Sequence, residues 1–196
     1  MSSPQGSTST PEAGRPPTSG DTGRRAAVLE SALLTFARFG YRRTSMEEVA
    51  RAAHISRPGL YFLFSSKETL FRAAVTQALE RDIAAVEDVL ADAGRPLAER
   101  LVEAFDRWAG RYVGPLTRDV TVVIEDNPGL LGEIVETAPR HFEGLVVRAI
   151  AAERGREAAP SLAQTLISVS IGLKHQAASR EFYRERLSAA VGLLLR

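Results

Sequence analysis

The chain has 196 residues, 44% of them hydrophobic and 25% charged, proportions that exclude a disordered or fibrous protein and fit one or two compact modules. It contains no Cys, which excludes a disulfide framework, a thiolate metal site and a cysteine nucleophile. The formal charge of +1 hides an asymmetry, since residues 22–81 hold ten Lys/Arg against five Asp/Glu while residues 82–196 hold fourteen against seventeen. A basic first third on a mildly acidic remainder is what a module facing a polyanion would show, although a chance excess on a solvated surface gives the same count.

Residues 1–20 contain fifteen Ser, Thr, Pro or Gly and no large aliphatic after Met1, which predicts a disordered tail. Order is expected from about Asp21 or Thr22. A first helix over about 23–39 carries Leu29, Leu33, Phe36 and Ala37 on one stripe and stops at Gly40. A short second helix, about 45–53, follows a capping box read as Thr44 with Glu47, with Met46, Val49, Ala50 and Ala53 facing inward. A third runs from Arg57 to about Leu63. The fourth, from about Lys67 to Ala91, spans roughly 37 Å at about 1.5 Å per residue and can link two modules. Further helices are predicted near 97–113, 117–126, 129–137 and 139–154, punctuated by Gly114-Pro115, Asn127-Pro128 and Pro139. Two more, about 161–178 and 180–195, close the chain. No alternating strand pattern or internal repeat appears, and the predicted class is all-α.

The informative stretch is 44–71, TSMEEVARAAHISRPGLYFLFSSKETLF. Two short helices joined by Ala53-His54-Ile55 have the spacing of a helix-turn-helix. Ser56 is the expected N-cap of the second, with Ile55 and Leu60 as a hydrophobic staple. Pro58 at the second helical position costs little, because that N–H has no partner within the helix. Since Pro58 cannot donate, the Ser56 hydroxyl should accept from the Gly59 N–H. The outward face then presents Arg57, Pro58, Gly59, Tyr61 and Phe62, side chains able to meet base edges or phosphates in a major groove. Lys67, a cation at a helix start, opposes the macrodipole, and a phosphate between it and the free N–H groups of that turn would explain it.

These residues resemble the DNA-binding domain of the TetR family of bacterial transcriptional regulators. The matching pieces are Phe36-Ala37, Gly40-Tyr41, Thr44-Ser45-Met46, Val49-Ala50-Arg51-Ala52-Ala53, Ile55-Ser56, Gly59-Leu60-Tyr61, Phe64, Ser66-Lys67-Glu68 and Leu70-Phe71. The resemblance covers about residues 24–72. It implies a three-helix DNA-binding domain at 21–72 and a helical ligand-binding and dimerisation domain at 73–196. It also implies phosphate contacts from Thr44, Tyr61 and Lys67. By the same resemblance Arg57, Pro58, Gly59 and Phe62 lie at or near bases, with Arg43 or Ser45 beside them. Two departures stand out. His54 occupies a turn position where the family usually has Gly, and Phe62-Leu63 replaces a pair that usually ends in histidine, leaving base preference to Arg57 and thymine methyl contacts.

In the last two helices Leu162, Leu166, Val169, Ser170 and Leu173, then Leu187, Ala190, Val191 and Leu194, form stripes suited to a four-helix bundle between two copies. Leu101, Phe105, Trp108 and Tyr112, with Ile124, Phe142 and Leu145 as further walls, are the candidate ligand pocket, though such a stripe also suits plain core. His141 and His175 are candidate polar handles. Three isolated His residues without Cys do not form a metal site, and no metal, cofactor or catalytic residue is expected. The expected function is therefore a cytoplasmic, homodimeric transcriptional regulator that binds double-stranded DNA. It would be a repressor released from a pseudo-palindromic operator by a small, mostly apolar effector, with no membrane partner. The alternatives are a helical adaptor or an enzyme whose basic N-terminal segment is incidental.

Overall fold

The computed structural model describes residues 19–113 and 128–196. Positions 1–18 of the expected tail, the expected helix 117–126 and the candidate wall residue Ile124 lie outside the described residues. Among the described residues the protein is all-α, without strands. The elements are α1 (Ser19–Phe39), α2 (Met46–Ala52), α3 (Arg57–Leu63), α4 (Lys67–Ala91), α5 (Leu97–Trp108), a 3-10 turn (Gly110–Tyr112), α6 (Pro128–Leu131), α7 (Ile134–Arg154), α8 (Ala159–Gln176) and α9 (Arg180–Leu194). Thus α1 begins inside the segment expected to be tail.

The first four helices build a head. Val28, Leu29, Ala32 and Phe36 of α1 recur at helical spacing and are buried against Val49, Ala50, Leu60, Leu70 and Phe71. Phe36 meets Phe71 edge-on at 5.2 Å, and Tyr41 packs on both rings at 5.7 and 4.9 Å. Gly40, at φ +80, ends α1 and donates to the Phe36 carbonyl at 2.9 Å.

The capping-box pattern occurs twice in adjacent registers, as Thr44-x-x-Glu47 and Ser45-x-x-Glu48, and the fold selects the second. The Ser45 hydroxyl accepts from the Glu48 N–H at 3.2 Å, and the Glu48 carboxylate accepts from the Ser45 N–H at 2.7 Å. Thr44 is buried, and its hydroxyl donates to the Gly40 carbonyl at 2.9 Å, so the expected Thr44–Glu47 cap is replaced.

Beyond the head, Ile83, Val86 and Leu90 of α4 join buried residues of α5, α7, α8 and α9 in a second core. The 25-residue α4 therefore belongs to both cores. Two buried carboxylates fasten the second one. Asp106 of α5 accepts two bonds from Arg180 at 2.9 and 2.8 Å and one from Arg184 at 3.2 Å, while Asp82 of α4 accepts from Arg111 and Tyr112. A Cβ at Gly110 would lie 2.4 Å from the Asp106 carboxylate and 3.0 Å from the Tyr183 ring, so this approach needs glycine. Gly110 also ends the helix expected to reach 113: α5 stops at Trp108 and a 3-10 turn follows.

Pro139 does not divide two helices as expected. It lies within α7, where the missing N–H forfeits one backbone bond and buried Ala138 and Phe142 hold the helix on both sides. One element crosses between the cores: Leu131, at the end of α6, is 2% exposed and sits in the head core, with Leu130, Ile134 and Val135 packed around it.

Candidate nucleic-acid interface

The turn between α2 and α3 is closed by two backbone bonds, His54 N–H to Arg51 carbonyl at 3.2 Å and Ile55 N–H to Ala50 carbonyl at 3.0 Å. This double closure is a Schellman motif, and it requires the left-handed φ of +53 that His54 adopts. α3 then starts as its sequence dictates, with the Ser56 hydroxyl accepting from the Gly59 N–H at 3.1 Å. A Cβ on Gly59 would lie 3.0 Å from that same hydroxyl. Glycine here keeps the cap intact and the helix end bare.

Of the α3 residues only Leu60 is buried. Arg57 and Pro58 are exposed, Tyr61 is 43% exposed and Phe62 is 90% exposed. The Arg57 guanidinium lies 5.7 Å from the Tyr61 ring centroid, so the two side chains share one outward face. Arg43 and Ser45, before α2, are also exposed. Lys67 is half-buried; its ammonium donates to the Tyr41 carbonyl at 3.1 Å and sits 4.5 Å from the Tyr41 ring centroid. This contact explains the cation at the start of α4 without a phosphate, yet leaves two ammonium protons for one. Thr44 is corrected: at 1% exposure, with its hydroxyl given to Gly40, its side chain holds the α1–α2 turn and does not reach a phosphate. A cation the sequence reading did not single out is Arg25 of α1, which projects over the Phe64 ring at 4.9 Å, beside the end of α3. The Arg24-Arg25 pair in α1 is the available signal.

A cavity of about 450 Å³ lies where α1, α4, α5, α7 and α8 converge. Four of the expected wall residues, Phe105, Trp108, Tyr112 and Phe142, line it. Leu101 and Leu145 do not: both are buried within the second core, because their positions on α5 and α7 turn them toward neighbouring helices. Trp108 stacks on Phe142 at 5.0 Å and 10°, and Phe105 meets Phe142 edge-on. The remaining walls include Leu33, Val75, Leu79 and Val135, which also pack in the head core, and Arg140, Glu143 and Lys174. His141 and His175 are exposed and do not line it. Burial and a hydrogen bond to the Asp82 carboxylate push the Tyr112 phenol well above its usual range.

The α8 and α9 stripes expected to meet a second copy divide between buried and half-buried positions. Leu166, Ser170, Leu187 and Val191 are buried in their own protomer, and Leu162, Leu173 and Leu194 pack against the same core, with Val169 half-buried. The Ser170 hydroxyl bonds the fully buried Tyr183 hydroxyl at 2.7 Å. Helical periodicity marks a stripe that seeks burial without saying which surface covers it. The outward faces carry Ile171 (55% exposed), Phe182 and Leu193 (62%), among small and polar residues.

No helix among the described residues is long and apolar enough to cross a membrane. Nor does any group of three or more His, Asp or Glu among them form a metal-binding cluster.

Residues 28–74 match the family model described as bacterial regulatory proteins, tetR family. Over 57 residues the chain is 39% identical to the transcriptional regulator RutR of Escherichia coli, a match spanning 29% of this chain and 27% of that protein. Against the transcriptional regulator EthR of Mycolicibacterium smegmatis the identity is 30% over 164 residues, covering 81% of this chain and 73% of the relative. A transcriptional regulator from Saccharomonospora viridis, solved in complex with choline, superposes with a TM-score of 0.71 at 19% identity, covering 87% of this chain and 96% of that one. A helix-turn-helix head on a helical body, matched through the head by the family and through most of the chain by EthR, places this protein in the TetR family of DNA-binding transcriptional regulators.

Proposed function

We propose that the protein is a homodimeric repressor that leaves a pseudo-palindromic operator when a small, mostly apolar effector occupies the cavity. Residues 21–72 serve as the DNA-binding domain and 73–196 as the effector and dimerisation domain. Arg57, Pro58, Gly59 and Phe62 lie at or near bases in the major groove, with Arg43 or Ser45 added to them, and Tyr61 and Lys67 contact phosphates beside it. The observation that carries effector release is that Leu33, Val75, Leu79 and Val135 belong at once to the cavity wall and to the head core. A ligand there presses on the head itself, so the states with recognition helices well and badly spaced differ in affinity for it, which linkage requires. Choline in the Saccharomonospora viridis structure supports a small-molecule effector. Dimerisation is assigned to α8 and α9, through the exposed Ile171, Phe182 and Leu193 together with the half-buried Leu162, Val169, Leu173 and Leu194.

Binding-site selection from a random DNA pool, followed by gel-shift titration, tests the reading. Wild type should select an inverted repeat, and the double variant Tyr61→Ala, Lys67→Ala should lose it. Selection of a single half-site, or full binding by the double variant, would refute the assignment. Sedimentation of Ile171→Asp with Leu193→Asp should give a folded monomer.

A further inference from the structure

The charges lining the cavity are unequal in what they already hold. Arg140 pairs with Glu136 at 3.2 Å on the solvent side, and Lys174 is also engaged. Inside, the Tyr112 hydroxyl donates to Asp82, and the Ser170 hydroxyl is held by Tyr183. Glu143 differs. It is half-buried, lines the cavity beside Phe142, and among the described residues its carboxylate takes part in no ion pair or hydrogen bond.

An unpaired carboxylate at the edge of an apolar chamber is costly unless something cationic meets it, and the adjoining wall is suited to a cation. The Trp108–Phe142 stack, with Phe105 at right angles to Phe142, lines that wall with aromatic rings, whose π-systems attract a cation. A bulky, weakly hydrated ammonium loses little on leaving water and gains from both the carboxylate and the ring face. Resting on the effector reading above, we propose that the cavity takes a compact hydrophobic organic cation, an aryl- or alkyl-ammonium. Its apolar body lies against Trp108 and Phe142, and its charge beside Glu143. Neutral apolar ligands have the apolar walls but gain nothing from Glu143, and anions meet Glu143 with repulsion.

Trp108 is the single tryptophan of the chain, so its fluorescence reports this wall directly. The full-length protein is titrated with benzyltrimethylammonium, with its neutral carbon isostere neopentylbenzene, and with 3-phenylpropanoate. The neutral isostere is the more hydrophobic, so a merely greasy cavity would prefer it. The cation is expected to quench Trp108 and bind at least tenfold tighter than the other two. Glu143→Gln should abolish that preference while leaving neopentylbenzene binding unchanged. Equal or tighter binding of the neutral or anionic probe to wild type overturns the proposal, as does an undiminished preference in Glu143→Gln. A gel shift with the selected operator separates the two readings. Cation binding that leaves DNA affinity unchanged supports the ligand class and removes the release mechanism. Operator release by an apolar neutral compound, with no cation bound, does the reverse.

Discussion

Arg72, on the opening turns of α4, donates its Nε to the carbonyl of Leu130 at 2.7 Å, a link across 58 residues of chain. The next residue, Leu131, is the one buried in the head core. Together they pin α6 to the DNA-binding helices at a point where the following residues, Val135 and Pro139, already line the cavity.

Leu131→Ala should therefore destabilise the head, by about 2–5 kcal/mol, the range for a buried leucine replaced by alanine. Urea unfolding, together with amide exchange in α1 and α2, checks this. Faster exchange confined to the body helices would contradict the placement of Leu131.

On DNA, Arg57 and Lys67 should fail in different ways. Arg57→Ala should cost about 1–3 kcal/mol and relax preference at a single base position, as expected for base readout. Lys67→Ala should weaken all sequences alike and lower the slope of log K against log salt by about 1. Because the Lys67 ammonium also holds the Tyr41 carbonyl, part of its loss will appear as a lower melting temperature.

The helix-turn-helix geometry makes three small predictions about the turn. His54→Gly should be neutral or stabilising by up to about 1 kcal/mol, since glycine removes the left-handed strain at φ +53. Ser56→Ala should cost about 0.5–2 kcal/mol through loss of the cap. Gly59→Ala, by crowding the Ser56 hydroxyl at 3.0 Å and covering the helix end, should reduce DNA affinity more than stability. Thermal melts and gel shifts on the three variants measure all of these.

Alkaline pH should unfold the protein through its buried phenols. Burial, with the Glu68 carboxylate beside it, pushes Tyr41 up to about 12, and burial pushes Tyr183 up to about 12. A phenol titrating near 10 in the unfolded chain and near 12 in the folded one keeps its proton longer when folded. Its contribution is whole below pH 10 and is lost as pH rises toward 12. Unfolding free energy measured from pH 8 to 11.5 should be level with respect to these groups up to about pH 10 and fall above it. Tyr183→Phe should flatten part of that fall, at the cost of the Ser170 hydrogen bond.

Much of the head was legible in the chain because its determinants are local. The Ser56–Gly59 cap followed from Pro58 having no N–H to give, and the turn at His54 was marked by the resemblance to a family that usually has Gly at that position. Where two local solutions were equally good, as with Thr44–Glu47 and Ser45–Glu48, only the burial of Thr44 against the rest of the head chose between them.

By itself the sequence determined the helical class, the long α4 strut and the outward face of α3, all set by neighbours within a few residues. Tertiary structure decided which surface each apolar stripe would cover. It turned Leu166, Leu187 and Val191 into their own core, left Ile171 and Leu193 outside, and carried Leu131 into the DNA-binding head. It also set the cavity between modules, where Leu33 and Glu143, 110 positions apart in the chain, become walls of one chamber. The reason is that apolar burial has no direction: periodicity fixes that a face will be covered, and only the packing of distant helices fixes by what.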